Sequence, residues 1–117
     1  VSTFLHEHSV SVFAIVFALA NPEPEIDPMV ARKYASVVAT GRSDQPNQIN
    51  NVLAFPGLFR GLLDAGITKI RTRMLIAAAR AIADCVSSDQ LNANFIVPSV
   101  FDARVVTAVA TAVKSSA

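Results

Sequence analysis

Three asparagines combine a side-chain amide with a place where the chain turns: Asn21, directly before Pro22, and the neighbours Asn50 and Asn51. An Asn amide both donates and accepts hydrogen bonds, so it can hold a hydroxyl or a carboxylate without adding charge beside a metal or cofactor. Asn21 follows an apolar run that reads as a strand, and ligands bind at the carboxyl ends of strands in open α/β sheets. Asn50 and Asn51 stand at the opening of a predicted helix, where free backbone amides and the positive dipole end favour a carboxylate. Simpler roles fit as well: Asn21 as a turn former before Pro22, and Asn50 as a helix cap, a duty compatible with binding.

Other polar groups rank lower. Arg42, in Gly41-Arg42-Ser43-Asp44, could carry charge to a cofactor or a neighbouring subunit, but an exposed loop Arg commonly does nothing specific. His6-Glu7-His8 offers ligand atoms on one face of a strand, yet a catalytic zinc takes three protein ligands, so a solvated terminus is the better reading and no metal site is assigned. Cys85 is the single cysteine, excludes an internal disulfide, and reads as a core residue in a reduced, cytoplasmic compartment. Tyr34, the single tyrosine, reads as structural.

The elements that must position these groups follow from pattern. Val10 to Leu19 clusters β-branched and aromatic residues almost without polar alternation, as in a parallel strand covered on both faces. Pro22 and Pro24 stop it; Asp27 before Pro28 caps a short helix running to about Lys33. Ser36 to Thr40 is a second short strand ending at Gly41, so strand followed by polar loop occurs twice, which is βαβ grammar. Asn50 to Leu63 reads as helix with a kink or restart at Pro56, and Gly66 is a natural stop. Thr68 can cap a helix whose buried stripe is Ile70, Met74, Leu75, Ala78, Ala81, Ile82 and Cys85; Arg71, Arg73, Arg80 and Asp84 lie off it. Asp102 can cap a last helix with Val105, Val106, Val109 and Val113 inward.

The 117 residues allow one domain. Ten basic and nine acidic side chains give a net charge of +1, which excludes an electrostatic footprint for nucleic acid or an anionic membrane. The apolar run ending Ala18-Leu19-Ala20 imitates a signal peptide, but no Lys or Arg precedes it and it is short of the ~20 residues that span a bilayer. Charged residues are 16% of the chain, below the ~25% of an ordinary soluble domain. About two parallel strands with about four helices, helix-rich in the C-terminal half, make an incomplete α/β sheet, since parallel sheets need both faces covered.

Phe17-Ala-Leu-Ala-Asn21-Pro22 and Asn47-Gln-Ile-Asn-Asn-Val-Leu-Ala-Phe-Pro-Gly57 resemble the substrate-side loops of the malic enzymes, dehydrogenases that oxidatively decarboxylate malate to pyruvate with NAD or NADP. The resemblance runs from about Phe13 to Val113 and is densest over Ala14 to Gly61. It implies that residues 1–117 form a single incomplete domain, the closing part of a Rossmann-like, doubly wound nucleotide-binding domain. It places Asn21 against the nicotinamide end of the cofactor and malate, and Asn51, with Asn50 beside it, against bound malate. It also implies a parent enzyme that needs divalent Mg or Mn and assembles as a homo-oligomer.

The family's proton-transferring Tyr and Lys and its metal-binding carboxylates belong to upstream motifs, so no catalytic residue is expected in this chain. No Gly-x-Gly-x-x-Gly fingerprint occurs either, since the four glycines are Gly41, Gly57, Gly61 and Gly66. The isolated chain is therefore expected to be inactive, awaiting an upstream domain or another chain. The sequence departs from the family pattern over Val1 to Val12, at Gln45 where an aromatic is expected, and at Val100 and Ala103 where prolines are usual. Two alternatives remain: a non-enzymatic module that self-associates through exposed strands, or a secreted domain beginning at Asn21.

Overall fold

A computed structural model describes residues 13–117, which group into two compact units: the described residues through Ile49 together with Asn92–Ile96, and Asn50–Leu91 together with Val97–Ala117. The predicted strand residues Val10 to Val12, like His6-Glu7-His8 and the divergent Val1 to Val12, lie outside the described residues.

The first unit is a βαβ arrangement. Strand β1 (Ile15–Ala18) lies parallel to β2 (Val37–Thr40), with Ile15 opposite Val37 and Ala18 opposite Thr40. Between them, helix α1 (Pro28–Ala31) starts as the sequence predicts: the Asp27 carboxylate accepts the Met29 N–H and Pro28 occupies the first turn. The helix is a single turn, ending before the expected Lys33. Ala18, Ile26, Ala31, Ala35 and Val38 are buried together, with Ala14, Val16, Val30 and Tyr34 packed against them.

Side chains alternate across a strand, so Val16 and Ala18 face this core while Ile15 and Phe17 face away. Ile15 is 65% and Phe17 52% exposed, so the expected cover on both faces is present on only one among the described residues. Beyond β2, the chain turns through Gly41–Pro46 and returns at Gln48, which forms a parallel bridge with Thr40; the Ile49 N–H donates to Thr40 O at 2.8 Å.

The second unit is helical. A 3-10 turn (Asn51–Leu53) precedes α2 (Phe55–Ala65), followed by α3 (Thr72–Asp84) and α4 (Arg104–Ser115). Pro56 sits in the first turn of α2, where a missing N–H costs nothing, so the predicted interruption is a restart at Phe55. Gly66 ends α2 with φ of 66°, a left-handed conformation that only glycine adopts without strain, and donates to Leu62 O and Leu63 O.

Helix α4 packs against both α2 and α3. Leu53, Leu58, Leu62, Met74, Ala78, Val105, Val109 and Val113 form the core, with Ala81, Ile82 and Cys85 at its margin. Gly57 and Gly61 bring α2 into contact with α4: a Cβ on Gly61 would lie 2.7 Å from Ala110 O and 2.7 Å from Val113 Cβ.

Three local expectations are corrected. Thr68 caps nothing, because residues through Arg71 stay outside the helix (φ −115°, ψ 152° at Arg71) and α3 begins at Thr72. Val106 is exposed because the buried row of α4 runs along Val105, Val109 and Val113, and Val106 lies a hundred degrees round from Val105. Ile70 and Leu75 are exposed for similar reasons, one before the helix and one beside its inward row of Met74 and Ala78.

Candidate functional site

Asn21 lies just past the carboxyl end of β1, on a loop with two prolines and no ladder partner. The backbone N–H of Leu19 donates to Glu25 Oε2 at 3.2 Å, and the N–H of Ala20 donates to Glu25 Oε1. Ile26, next in sequence, is buried in the first unit's core, so the loop is closed at its base by a carboxylate and anchored by an apolar side chain. The Asn21–Pro22 bond is cis. Asn21 itself is exposed, and its amide makes no hydrogen bond to any described residue. Donor and acceptor both remain available to a ligand.

Asn50 and Asn51 belong to the second unit and are consecutive on its first turn. The Asn50 side chain accepts the Val52 N–H at 3.0 Å, an Asx cap with the backbone extended at φ −141°. Its Nδ2 has no acceptor among the described residues and remains available as a donor. Asn51 is exposed; its carbonyl accepts from Ala54 N–H at 3.0 Å while its side-chain amide has no partner among the described residues. The turn they open is a three-residue 3-10 segment, because Pro56 sets the α-helix to begin at Phe55. The predicted help from a long helix dipole at these residues is therefore absent, and recognition falls to the two side-chain amides.

Arg42 is turned onto its own loop. Its Nε donates to Asp44 Oδ1 at 2.8 Å and its Nη2 to Oδ2 at 2.5 Å, a two-pronged pair. The hydrogen bond, with the attraction between the charges, holds the Asp44 carboxyl below and the Arg42 guanidinium above their usual values. Burial pushes the Cys85 thiol up, and its Sγ donates to Ala81 O at 3.3 Å, so it is less of a thiolate than a free cysteine.

The residue that sequence reasoning passed over is Asn47. Only 5% exposed, it holds φ of 58°. Its Nδ2 donates to Val38 O at 3.0 Å and to Ala93 O at 2.8 Å, and its Oδ1 accepts the Ile96 N–H at 2.9 Å. One side chain thus ties β2 to the segment Asn92–Ile96. The signal was an Asn directly after Pro46, since Asn tolerates the left-handed region better than other side chains.

Among the described residues, no three His, Cys, Asp or Glu side chains gather as metal ligands, so these residues do not fit a divalent metal centre. The amides of Asn21 and Asn51, without partners among the described residues, can each donate and accept a hydrogen bond without adding charge.

Residues 33–117 match the family model described as malic enzyme, NAD binding domain. The NAD-dependent malic enzyme of Geobacillus stearothermophilus is 58% identical over 103 residues, which is 88% of this chain and 22% of that protein. The bifunctional malic/malolactic enzyme of Bacillus subtilis (strain 168) is 60% identical over 104 residues, 88% of this chain and 25% of that protein. The crystal structure of malic enzyme from Pyrococcus horikoshii superposes with a TM-score of 0.82 at 52% identity, covering 87% of this chain and 23% of that one. The chain thus spans about a quarter of the length of the proteins it matches.

Proposed function

Because the chain belongs to the malic enzyme family, as part of its NAD-binding, Rossmann-like α/β domain, we propose that it supplies the loops that orient malate and the nicotinamide cofactor in oxidative decarboxylation to pyruvate. The observation that carries this reading is the pair of exposed, unpartnered amides at Asn21 and Asn51. When bound, NAD or NADP supplies the hydride acceptor for the alcohol carbon of malate. Asn21 contacts the nicotinamide end and the substrate hydroxyl; Asn51 holds a malate carboxylate, with the free Nδ2 of Asn50 beside it. Neutral amides suit this task, because they bind a dianion without a fixed charge that would resist product release. Orientation of this kind contributes strongly to hydride transfer, where distance and alignment govern the rate.

Proton transfer and the Mg or Mn of the parent reaction are assigned to residues outside this chain, so the isolated 117-residue protein is expected to reduce no cofactor. Malate-dependent NADH or NADPH formation by the pure chain with Mn or Mg would overturn that assignment. In a complete malic enzyme carrying this segment, Asn51→Ala removes a hydrogen bond to a charged group, expected to lower kcat/KM for malate about 10- to 100-fold. An unchanged kcat/KM would remove Asn51 from the site.

No described helix is long and apolar enough to cross a membrane, and we place the enzyme in the cytoplasm, without nucleic-acid or membrane partners. A second reading rests on the open face of β1: with Phe13, Ile15, Phe17 and Leu19 exposed, the chain self-associates through that strand as a homo-oligomer. A sedimentation mass equal to a well-behaved monomer would sink it.

A further inference from the structure

The loop carrying Asn21 holds a group to which the proposed chemistry gives no task, the Glu25 carboxylate. Strand pairing stops at Ala18, leaving the next backbone donors without a ladder, while Pro22 and Pro24 contribute none. Both oxygens of Glu25 fill that gap, one taking the Leu19 N–H at 3.2 Å and the other the Ala20 N–H. These N–H groups belong to the two residues immediately before Asn21. Ile26 anchors the far side of Glu25 in the core, and Asp27 starts α1, so the carboxylate cannot drift along the loop. Asn21 directly follows this clasped backbone and its amide has no partner among the described residues, so its aim is set by backbone that Glu25 holds.

We propose that Glu25 is a positioning residue: its carboxylate clasps the Leu19 and Ala20 amides and thereby presents the Asn21 amide to substrate and cofactor. The inference rests on the reading of Asn21 as a binding residue. Glu25 touches no reactant, and both of its oxygens are committed. Glutamine in its place would keep one acceptor and turn an N–H₂ group toward the other backbone N–H, opening half of the clasp.

The test uses a complete malic enzyme carrying this segment, with Asn21→Ala, Glu25→Ala, Glu25→Gln and the Asn21→Ala/Glu25→Ala pair. Loss of alignment in a reacting pair is expected to lower kcat about 10- to 100-fold for Glu25→Ala, less for Glu25→Gln, at nearly unchanged melting temperature. Because Glu25 acts through Asn21, the double variant should fall no further than Asn21→Ala alone. Two outcomes overturn the proposal by itself: Asn21→Ala is impaired while both Glu25 variants stay within about twofold of the parent, or the two defects multiply in the double variant. If Asn21→Ala is fully active, the reading of Asn21 falls first and Glu25 has nothing to position. Should Glu25→Ala not fold, Glu25→Gln carries the same comparison.

Discussion

Replacing Asn47 separates what its side chain does from what its backbone does. In Asn47→Ala, Val38 O, Ala93 O and Ile96 N–H each lose a partner, and alanine must hold φ of 58°. Each hydrogen bond contributes about 0.5–1.5 kcal/mol net, and a left-handed alanine adds about 1–2 kcal/mol, so the expected loss is roughly 3–6 kcal/mol. Asn47→Gly accepts the backbone angle freely but loses the same bonds, for roughly 2–5 kcal/mol. Asn47→Asp keeps the acceptor for Ile96 and sets a carboxylate oxygen against two carbonyl oxygens, so it should be at least as damaging as alanine. The assay is urea unfolding followed by far-ultraviolet circular dichroism, comparing midpoints at constant m. An Asn47→Ala loss below about 1 kcal/mol would refute the reasoning, because no combination of one buried bond, two part-buried bonds and a left-handed alanine comes out so small. A glycine variant weaker than the alanine variant would refute the backbone part alone.

The close approach of α2 to α4 predicts that Gly61→Ala destabilises the protein by about 1–3 kcal/mol in the same assay, overpacking against the Ala110 carbonyl outweighing alanine's better helix propensity. A stabilised variant would mean the helices separate at little cost. The Asp102 carboxyl is held below its usual value first by its side-chain hydrogen bond from Arg104 and then by the Arg104 backbone N–H at 3.0 Å. A depressed carboxyl favours the folded state above its unfolded pKa and loses that contribution as pH falls through the folded value. Unfolding midpoints should therefore drop on acidification below about pH 4, and less so in Asp102→Asn. Parallel pH profiles for the two proteins would remove Asp102 from that role.

What was legible in the sequence is what short-range chemistry decides. Asp27 before Pro28, Pro56 in a first turn and Gly66 at a helix end each act on backbone within four residues, so their outcome could be read before any contact was known. The parallel pairing of β1 with β2 followed from two short apolar runs separated by a helix signal. Thr68 failed as a cap because capping chemistry marks where a helix can start, while packing of Met74 and Ala78 decides where it does. Of the proposed site, Asn21, Asn50 and Asn51 stood out by type and neighbourhood, and the Asn50 cap is local. The freedom of the Asn21 and Asn51 amides was not legible, since it depends on which acceptors lie nearby in space. Asn47 was missed for the same reason: two of its partners, Ala93 and Ile96, lie far along the chain.

That distance has a bearing on the order in which the protein can be made. The βαβ unit is not a continuous stretch: it closes with Asn92–Ile96 after the chain has built α2 and α3 elsewhere. On a ribosome, β1, α1 and β2 emerge long before the residues that satisfy the Asn47 amide, so the first unit leaves the exit tunnel with an open seam. Closing it joins ends separated by 46 and 49 positions, an entropic cost that grows only logarithmically with the span. A nascent chain whose Asn92–Ile96 segment has not yet left the tunnel would therefore present a loosely held βαβ unit to chaperones and proteases, and the emergence of that segment would lock it.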